Sequence, residues 1–174
     1  VTPHHLMFTE LMASHYNTSY KVNPPLRTQA DTEALIEGLL DGTIDVIGTD
    51  HAPHAADLKD QDWTQAAFGM TGLEQAYKVA HKVLIKSGLS DWKRLAEVMS
   101  SKAATIAGLG NHGNLEVGSE ANIAIVDPNQ KSVVKHNRYS KSNNNPYIGQ
   151  EFDSAVVHTL FRGKFSYQDS EVVV

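Results

Sequence analysis

The sequence contains no cysteine and no long apolar run. Without cysteine there can be no disulfide bonds or thiolate metal ligands, which fits a reducing, cytoplasmic location. No apolar run approaches the roughly 20 residues that a helix needs to cross a bilayer. Positive charge is also scarce, because 15 Lys and Arg stand against 20 Asp and Glu, for a net charge of -5. A protein of this charge has no basic stripe for phosphates, so we expect neither nucleic acid nor a membrane as a partner.

The composition is that of a folded domain. Hydrophobic residues make up 41% and charged residues 20% of the 174 residues, and the mean hydropathy is -0.33. A chain of this size can bury a core and has the length of one domain, or of a domain with an appendage. It opens on VTPHH, without an initiator methionine or a charged and apolar leader. We therefore expect a fragment of a longer protein.

The first part of the chain has the pattern of an α/β protein. Residues 31–42 form an amphipathic helical pattern with acids at its start and a glycine at its end. Its apolar stripe consists of Ala34, Leu35, Leu39 and Leu40. Residues 43–49 follow at once with β-branched side chains and no helical period, which predicts a short buried strand of the parallel type. A helix that feeds such a strand is typical of α/β architecture.

A long loop and two further helices are predicted next. Residues 50–69 combine proline, glycine and several charges without a period, and loops of this length in compact domains tend to be functional. Residues 72–88 and 90–110 have helical patterns. The expected cap of the second helix and the expected terminators of the two helices are Ser90, Gly88 and Gly110.

Beyond Gly110 the chain changes character. Short alternating or β-branched runs, separated by glycine, asparagine and proline, lie at residues 114–128, 132–136 and 154–168. They predict a small β module. The polar, turn-rich segment 137–152 between them is either ordered by contact with another part of the structure or partly mobile.

A polar cluster follows the predicted strand directly. TDHAPH, residues 49–54, contains Asp50, His51 and His54. Ligands bind at the carboxyl ends of parallel strands, so these side chains lie where chemistry is usually done. A carboxylate can bind a cation and carry a proton, and imidazole is the commonest metal ligand. The spacing is equally compatible with an aspartate that caps the loop and with histidines on the loop surface.

A second motif favours the interpretation of Asp50, His51 and His54 as part of a functional site. KVNPPLR, residues 21–27, contains two consecutive prolines that form a rigid turn between Asn23 and Arg27. Arg27 either faces the site or pairs with an acid. Together with TDHAPH and the later AAFGMTGLE, NLEVGSEANIAIVDP and YSKSNNNPYIG, this motif resembles class I dihydroorotase of the amidohydrolase superfamily. The five motifs occur in the family's order, and the resemblance runs from Val1 to about Gln168.

The resemblance implies a fold, a cofactor and a reaction. The fold is α/β: the C-terminal part of a TIM-type (β/α)8 metallo-dependent hydrolase barrel, plus part of a small β-sandwich. Residues 1–109 would belong to the barrel and residues 110–174 to the sandwich. The family carries a binuclear zinc centre at the barrel mouth. It interconverts the small molecules N-carbamoyl-L-aspartate and dihydroorotate in pyrimidine biosynthesis.

The resemblance also implies roles for five residues. Asp50 would bind a metal and move the proton between the attacking water and the amide nitrogen. Asn23 would bind the substrate, and His54 would pair with the substrate carboxylate. The backbone around Phe68 and Gly69 would contact the pyrimidine ring. These roles are chemically consistent, because a dianionic product needs a donor at its carboxylate and a polar ring needs amide partners.

The departures from the family matter as much. The family's HxH pair, its bridging acid or modified lysine and its two single histidine ligands have no counterpart in this chain. For His4 and His5 we expect packing or hydrogen bonds behind the site, and His51 either has such a role or lies on the loop surface. With Asp50 as the only expected protein ligand, zinc would lack the three or four donors that it needs. We therefore expect the isolated chain to be inactive and to need the missing N-terminal half, a partner chain or a homo-oligomer.

Two alternatives stay open. Hydantoinases, dihydropyrimidinases and allantoinases share the barrel and the final aspartate, although Asn23 before PPLR and the HAPH ending favour dihydroorotase. A homologue that has lost its metal ligands would instead be a non-catalytic structural partner, for instance of aspartate transcarbamoylase.

Overall fold

The computed structural model describes residues 1–137, 139–169 and 171–173. Within them, the α-helices are α1 Gln29–Asp41, α2 Ala56–Lys59, α3 Ala76–Ala80, α4 Trp92–Ala96 and α5 Lys102–Ile106. π-Helical segments His81–Lys86 and Glu97–Ser101 continue α3 and α4, and 3-10 turns lie at His4–Leu6, Glu10–Ala13, Thr18–Tyr20 and Leu73–Gln75. The strands are β1 Ile123–Asp127, β2 Ser132–Val133, β3 Glu151–Phe152, β4 Ala155–Phe161, β5 Lys164–Gln168 and β6 Glu171–Val172. None of the described helices has the length and apolar character needed to span a membrane.

Helix α1 begins two residues before the predicted start and ends at the predicted glycine. The Thr28 hydroxyl accepts a bond from the Asp31 amide at 3.3 Å, and the Asp31 carboxylate accepts one from the Thr28 amide at 3.0 Å. This reciprocal pair is a capping box. Gly42 ends the helix with a φ of 92°, in the left-handed region that glycine enters at little cost. The packed side of the helix consists of Leu35, Ile36, Leu39 and Leu40, whereas Ala34, expected on the stripe, is exposed.

The two helical stretches after the loop are present, with shifted ends. The cap of α4 is Asp91, whose carboxylate accepts a first-turn amide at 2.8 Å, and not the predicted Ser90. Ser90 still belongs to the preceding turn, because its amide bonds to Leu84. Gly88 follows the first stretch at φ 74°, as expected. The second stretch ends at Ile106, and the left-handed glycine after it is Gly108 and not Gly110.

Residues 43–49 do not form the predicted strand. They carry no ladder in the described structure, and only Ile47 among them is buried. One parallel contact is nevertheless made: the Val1 amine donates to the Val46 carbonyl at 3.0 Å, and the Gly48 amide donates to the Val1 carbonyl at 2.9 Å. These two bonds have the pattern of a parallel bridge. A single bridge is too short to count as a strand, because a ladder needs several successive pairs.

The loop at residues 50–69 is irregular apart from α2, as predicted. His51 and Met70 form a parallel bridge at its base, and the Ala52 amide donates to the Met70 carbonyl at 3.0 Å. The two ends of the loop therefore lie side by side.

The predicted β module is an antiparallel sheet in the order β1-β4-β5-β6, with a separate β2-β3 pair. A tight hairpin joins β4 to β5 through Arg162 and Gly163, at φ 52° and 77°. Two successive left-handed residues match the right-handed twist of a two-residue hairpin. The module is antiparallel throughout; short connections join β4 to β5 and β5 to β6, whereas β1 pairs with β4 across the segment that contains β2 and β3.

Segment 137–152 is ordered by contact with the first part of the chain; Arg138 lies outside the described residues. Asn144, Asn145 and Tyr147 are buried in it, and Tyr147 is fully enclosed. One apolar cluster joins the two parts of the chain and consists of Phe8, Val22, Leu26, Met70, Val79, Val134, Tyr147 and Phe152. The other lies within the first part and consists of Leu6, Leu39, Ile47, Ala80, Leu84, Leu95 and Val98. The segment thus packs against the part of the chain that carries the predicted site.

Candidate functional site

Asp50 stands at the point where the chain leaves the buried Ile47. Its φ is 45°, and its side chain is exposed. A left-handed backbone is uncommon for a residue other than glycine, and such strain concentrates at functional sites. The next residue, His51, is paired with Met70, which follows Gly69 in the chain. Because Asp50 precedes His51 and Gly69 precedes Met70, the bridge brings the Asp50 backbone next to the predicted ring-contact segment.

His51 is held by the start of the helical stretch that follows the loop. Its Nδ1 lies 3.2 Å from the Gly72 amide nitrogen and 3.2 Å from the Leu73 amide nitrogen. Two N–H donors on this nitrogen make it an acceptor, so the ring proton resides on Nε2. This geometry agrees with the expectation that His51 makes hydrogen bonds behind the site.

His54 contacts the Phe68–Gly69 segment directly. Its Nε2 is 2.8 Å from the Phe68 carbonyl oxygen, which can only accept, so Nε2 carries a proton. A β-carbon at Gly69 would lie 2.6 Å from the β-carbon of Ala52 and 2.9 Å from His54 Nε2. Gly69 also has a φ of 129°. Only glycine allows the two sides of the loop to approach this closely.

Asn23 is brought to the same place through its neighbours. The Gly69 amide donates to the Lys21 carbonyl at 2.9 Å, two residues before Asn23. On the other side, His5 Nε2 lies 3.0 Å from the Pro24 carbonyl, and His5 Nδ1 lies 2.6 Å from the Thr2 hydroxyl. The exposed amide of Asn23 therefore lies on a turn that is supported from both directions. His5 supports the site from behind, as expected.

His4 has a different setting. It is fully buried, and neither of its ring nitrogens has a hydrogen-bond partner within the described residues. Burial, and then the neighbouring His5, lower the pKa of His4 to about 3. The ring is therefore neutral at physiological pH and serves as a packing group.

A buried polar network supports the site, and the sequence patterns did not assign it. Ser142 and Asn144 lie in the quoted motif YSKSNNNPYIG, but their type and spacing alone do not indicate what they contact. The His54 amide donates to Ser142 Oγ at 3.1 Å and to Asn144 Oδ1 at 3.3 Å. Asn144 Nδ2 donates to the Ala52 carbonyl at 2.9 Å and to the Gly69 carbonyl at 3.2 Å. One asparagine thus ties together both sides of the loop.

Two buried lysines were also missed. Lys21 and Lys59 are 6% and 4% exposed, although lysine is almost never fully buried without a partner. No apolar or charge period marks either residue in the sequence. Both ammonium groups bond to carbonyls of the loop that carries Phe68.

The described residues do not form a metal site by themselves. Among them no group of three or more His, Cys, Asp or Glu side chains could hold a metal ion. Asp50 is a single potential ligand, and a stable zinc site needs three or four protein donors.

Comparison with known proteins identifies the family of this chain. A model described as "Amidohydrolase family" matches residues 4–165, so the chain belongs to the amidohydrolase family. Among solved structures, an L-hydantoinase from Arthrobacter aurescens is 30% identical at a TM-score of 0.91. The match covers 99% of this chain and 40% of the hydantoinase chain. A D-hydantoinase from Thermus sp. is 26% identical at a TM-score of 0.86, over 98% of this chain and 39% of its own. The predicted fold class, a C-terminal portion of the amidohydrolase fold, is confirmed.

Curated relatives of higher sequence identity are dihydroorotases. A dihydroorotase from Streptomyces coelicolor is 45% identical over 99% of this chain and 41% of its own length. A dihydroorotase from Caldanaerobacter subterraneus is 44% identical over 98% of this chain and 39% of its own length. The predicted resemblance to dihydroorotases is therefore confirmed. The chain spans about two fifths of the length of these relatives.

Proposed function

We propose that the full-length protein to which this chain belongs is a dihydroorotase of pyrimidine biosynthesis. It would close N-carbamoyl-L-aspartate to dihydroorotate and reopen the ring, acting in the cytoplasm on this small-molecule substrate. The observation that carries the proposal is the 45% identity, over nearly the whole chain, to a curated dihydroorotase, against 26–30% to the hydantoinases. The clustering of His54, Phe68, Gly69 and the Asn23 turn supports it.

Asp50 is proposed as the proton carrier. In ring opening its carboxylate would take a proton from the attacking water and deliver it to the amide nitrogen as the C–N bond breaks. Ring closure would use the same path in reverse. A carboxylate can do this because it accepts a proton in one step and donates it in the next.

The remaining roles concern binding. His54 would pair with the substrate carboxylate, with its ring held in place by the hydrogen bond from Nε2 to the Phe68 carbonyl. Asn23 would pair its amide with polar groups of the substrate, and the backbone of Phe68 and Gly69 would contact the ring. Each polar group of the ligand then has a partner, which burial requires.

Zinc is proposed only for the full-length protein, where Asp50 would supply one of its ligands. The residues described here do not complete such a site. A homo-oligomer and a complex with aspartate transcarbamoylase both stay predictions. So does the division at residues 109 and 110.

A substrate comparison tests the proposal. The full-length protein would be assayed on dihydroorotate, hydantoin and allantoin, with the isolated 174-residue chain and added zinc as control. We expect kcat/KM for dihydroorotate to exceed the others by on the order of 100-fold, because a site built around a substrate carboxylate leaves charged partners unpaired without one. The isolated chain should show no turnover.

The second candidate is a related cyclic amidohydrolase, such as a hydantoinase, dihydropyrimidinase or allantoinase, and the structural likeness to two hydantoinases favours it. Faster turnover of hydantoin than of dihydroorotate would establish it. Absence of turnover on all three compounds would instead favour the non-catalytic structural partner.

A further inference from the structure

The two buried lysines hold one loop segment by its backbone. Lys21 Nζ donates to the carbonyls of Trp63 and Ala66, both at 2.6 Å. Lys59 Nζ donates to the carbonyls of Ala67 and Gly69, both at 2.9 Å. Neither lysine forms an ion pair within the part of the chain that the structure describes. Burying an ammonium group is costly unless its donors are bonded, and the inward-facing carbonyls of Trp63, Ala66, Ala67 and Gly69 supply those bonds.

This inward turn sets the direction of one amide. The Ala67–Phe68 peptide is trans, so its N–H points opposite to the Ala67 carbonyl and therefore away from Lys59. The positive charge on the carbonyl side polarises the peptide and strengthens the N–H as a donor. No acceptor for the Phe68 N–H is found within the described residues.

The neighbouring contacts leave this amide little freedom. The Phe68 carbonyl is bonded to His54 Nε2 at 2.8 Å, and the Lys21 ammonium lies 4.4 Å from the centre of the Phe68 ring. The Gly69 amide is bonded to the Lys21 carbonyl. Groups on both sides of the Phe68 N–H are thus fixed.

The two lysines are close enough to affect each other. Burial, and then the charge of Lys21, lower the pKa of Lys59 to about 8. Two like charges are held near one another at a cost, which the loop carbonyls offset. An arrangement of this kind would be unusual if the loop only had to close the surface.

We propose that Lys59, supported by Lys21, is a positioning residue that aims the Phe68 backbone N–H at a carbonyl oxygen of the bound cyclic amide. The inference rests on the proposed function, because it assigns a support to the same ring-binding segment. Lys59 touches neither substrate nor reacting atoms and acts through the Ala67–Phe68 peptide.

The test replaces Lys59 in the full-length protein. In Lys59→Met, KM for dihydroorotate should rise about tenfold, the value of one hydrogen bond, while kcat changes little, because ground-state and transition-state binding are lost alike. Lys59→Arg should restore part of the affinity, since it keeps the cation. The matched control is Lys82→Met, an exposed lysine whose loss should leave both constants unchanged.

Backbone hydrogen exchange gives a readout that does not depend on activity. Exchange of the Gly69 amide, which is hydrogen-bonded to the Lys21 carbonyl, should become faster in Lys59→Met and stay at the wild-type rate in Lys82→Met. If Lys59→Met does not fold, Lys21→Met carries the test, with a smaller rise in KM expected because Lys21 binds carbonyls farther from Phe68.

The outcomes separate this inference from the proposed function. Wild-type turnover with an unchanged KM in Lys59→Met would overturn the inference and leave the proposed function standing. A fall in kcat alone would overturn it as well. If the wild type turns over none of the substrates, the proposed function fails first, and unchanged exchange in Lys59→Met would then overturn the positioning role separately.

Discussion

Two runs of this protein that are rich in β-branched residues differ in structure, because only one of them forms a β-strand. Residues 43–49 lack a ladder and touch a parallel neighbour only through Val1, whereas Ala155–Phe161 is a full strand with a partner on each side. Both runs contain several β-branched residues, so β-branching alone does not separate them. Ala155–Phe161 obtains one partner, β5, from the adjacent hairpin and the other, β1, from earlier in the same module. A parallel strand always needs a longer crossover connection to its neighbour. The unpaired run is the one that leads into the candidate site.

The largest expected effect tests whether chemistry depends on the unpaired run. In the full-length protein, Asp50→Asn should lower kcat by about 100-fold or more, because an amide cannot accept the proton. Far-ultraviolet circular dichroism and the unfolding midpoint should stay near wild type, since Asp50 is exposed. Asp45→Asn, an exposed aspartate of the same run, is the control and should keep kcat within a few-fold. Equal losses in both variants would contradict the assignment of Asp50.

The second prediction asks whether burial or pairing stabilises the two regions. Ile47 has no ladder but is 8% exposed inside an apolar cluster, whereas Ile125 is paired in β1 but 42% exposed. Ile47→Ala should lower the free energy of unfolding by about 2–4 kcal/mol, and Ile125→Ala by about 1 kcal/mol or less. Urea unfolding of the full-length protein would measure both. A larger loss for Ile125→Ala would show that pairing outweighs burial here.

The smallest expected effect concerns pH and the buried His4. Its folded-state pKa of about 3 lies below the value near 6.5 of an unfolded chain, so the unfolded state binds the proton first as the pH falls. The stability that neutral His4 permits is therefore present above pH 6.5 and is lost progressively toward pH 3. Between pH 7 and pH 5 this loss should be about 1–2 kcal/mol.

The measurement compares urea unfolding at pH 7 and pH 5 for wild type, His4→Leu and His15→Leu. His4→Leu should show a smaller loss than wild type, because no imidazole then titrates at this position. His15 is exposed, so His15→Leu should follow wild type. An identical pH dependence in all three proteins would show that His4 does not contribute.

Much of the fold could be predicted because local signals agree with it. Thr28, Asp31 and Gly42 define the ends of α1 by capping chemistry that depends only on neighbouring residues. The Arg162–Gly163 hairpin and the alternating runs around it are equally local. Exact helix ends were less accessible, since Asp91 caps α4 where the adjacent Ser90 was an equally plausible cap, and Gly108 follows α5 where Gly110 was expected.

The candidate site could be predicted only in part. Its five residues came from a family resemblance, and their roles stay predictions, although the structure places His54, Phe68 and Gly69 in contact. Lys21, Lys59 and Asn144 could not be found in advance, because their partners are backbone carbonyls. Every residue has a carbonyl, so no side-chain pattern identifies such a partner.

The sequence by itself determined the helices, the antiparallel module and the family, because capping, periodicity and motif order are properties of nearby residues. Only the tertiary structure decided that residues 43–49 carry no ladder, that segment 137–152 packs under the loop, and that two lysines hold the loop by its backbone. These features depend on which distant groups meet after folding, and a buried ammonium group in particular is costly unless its donors are bonded.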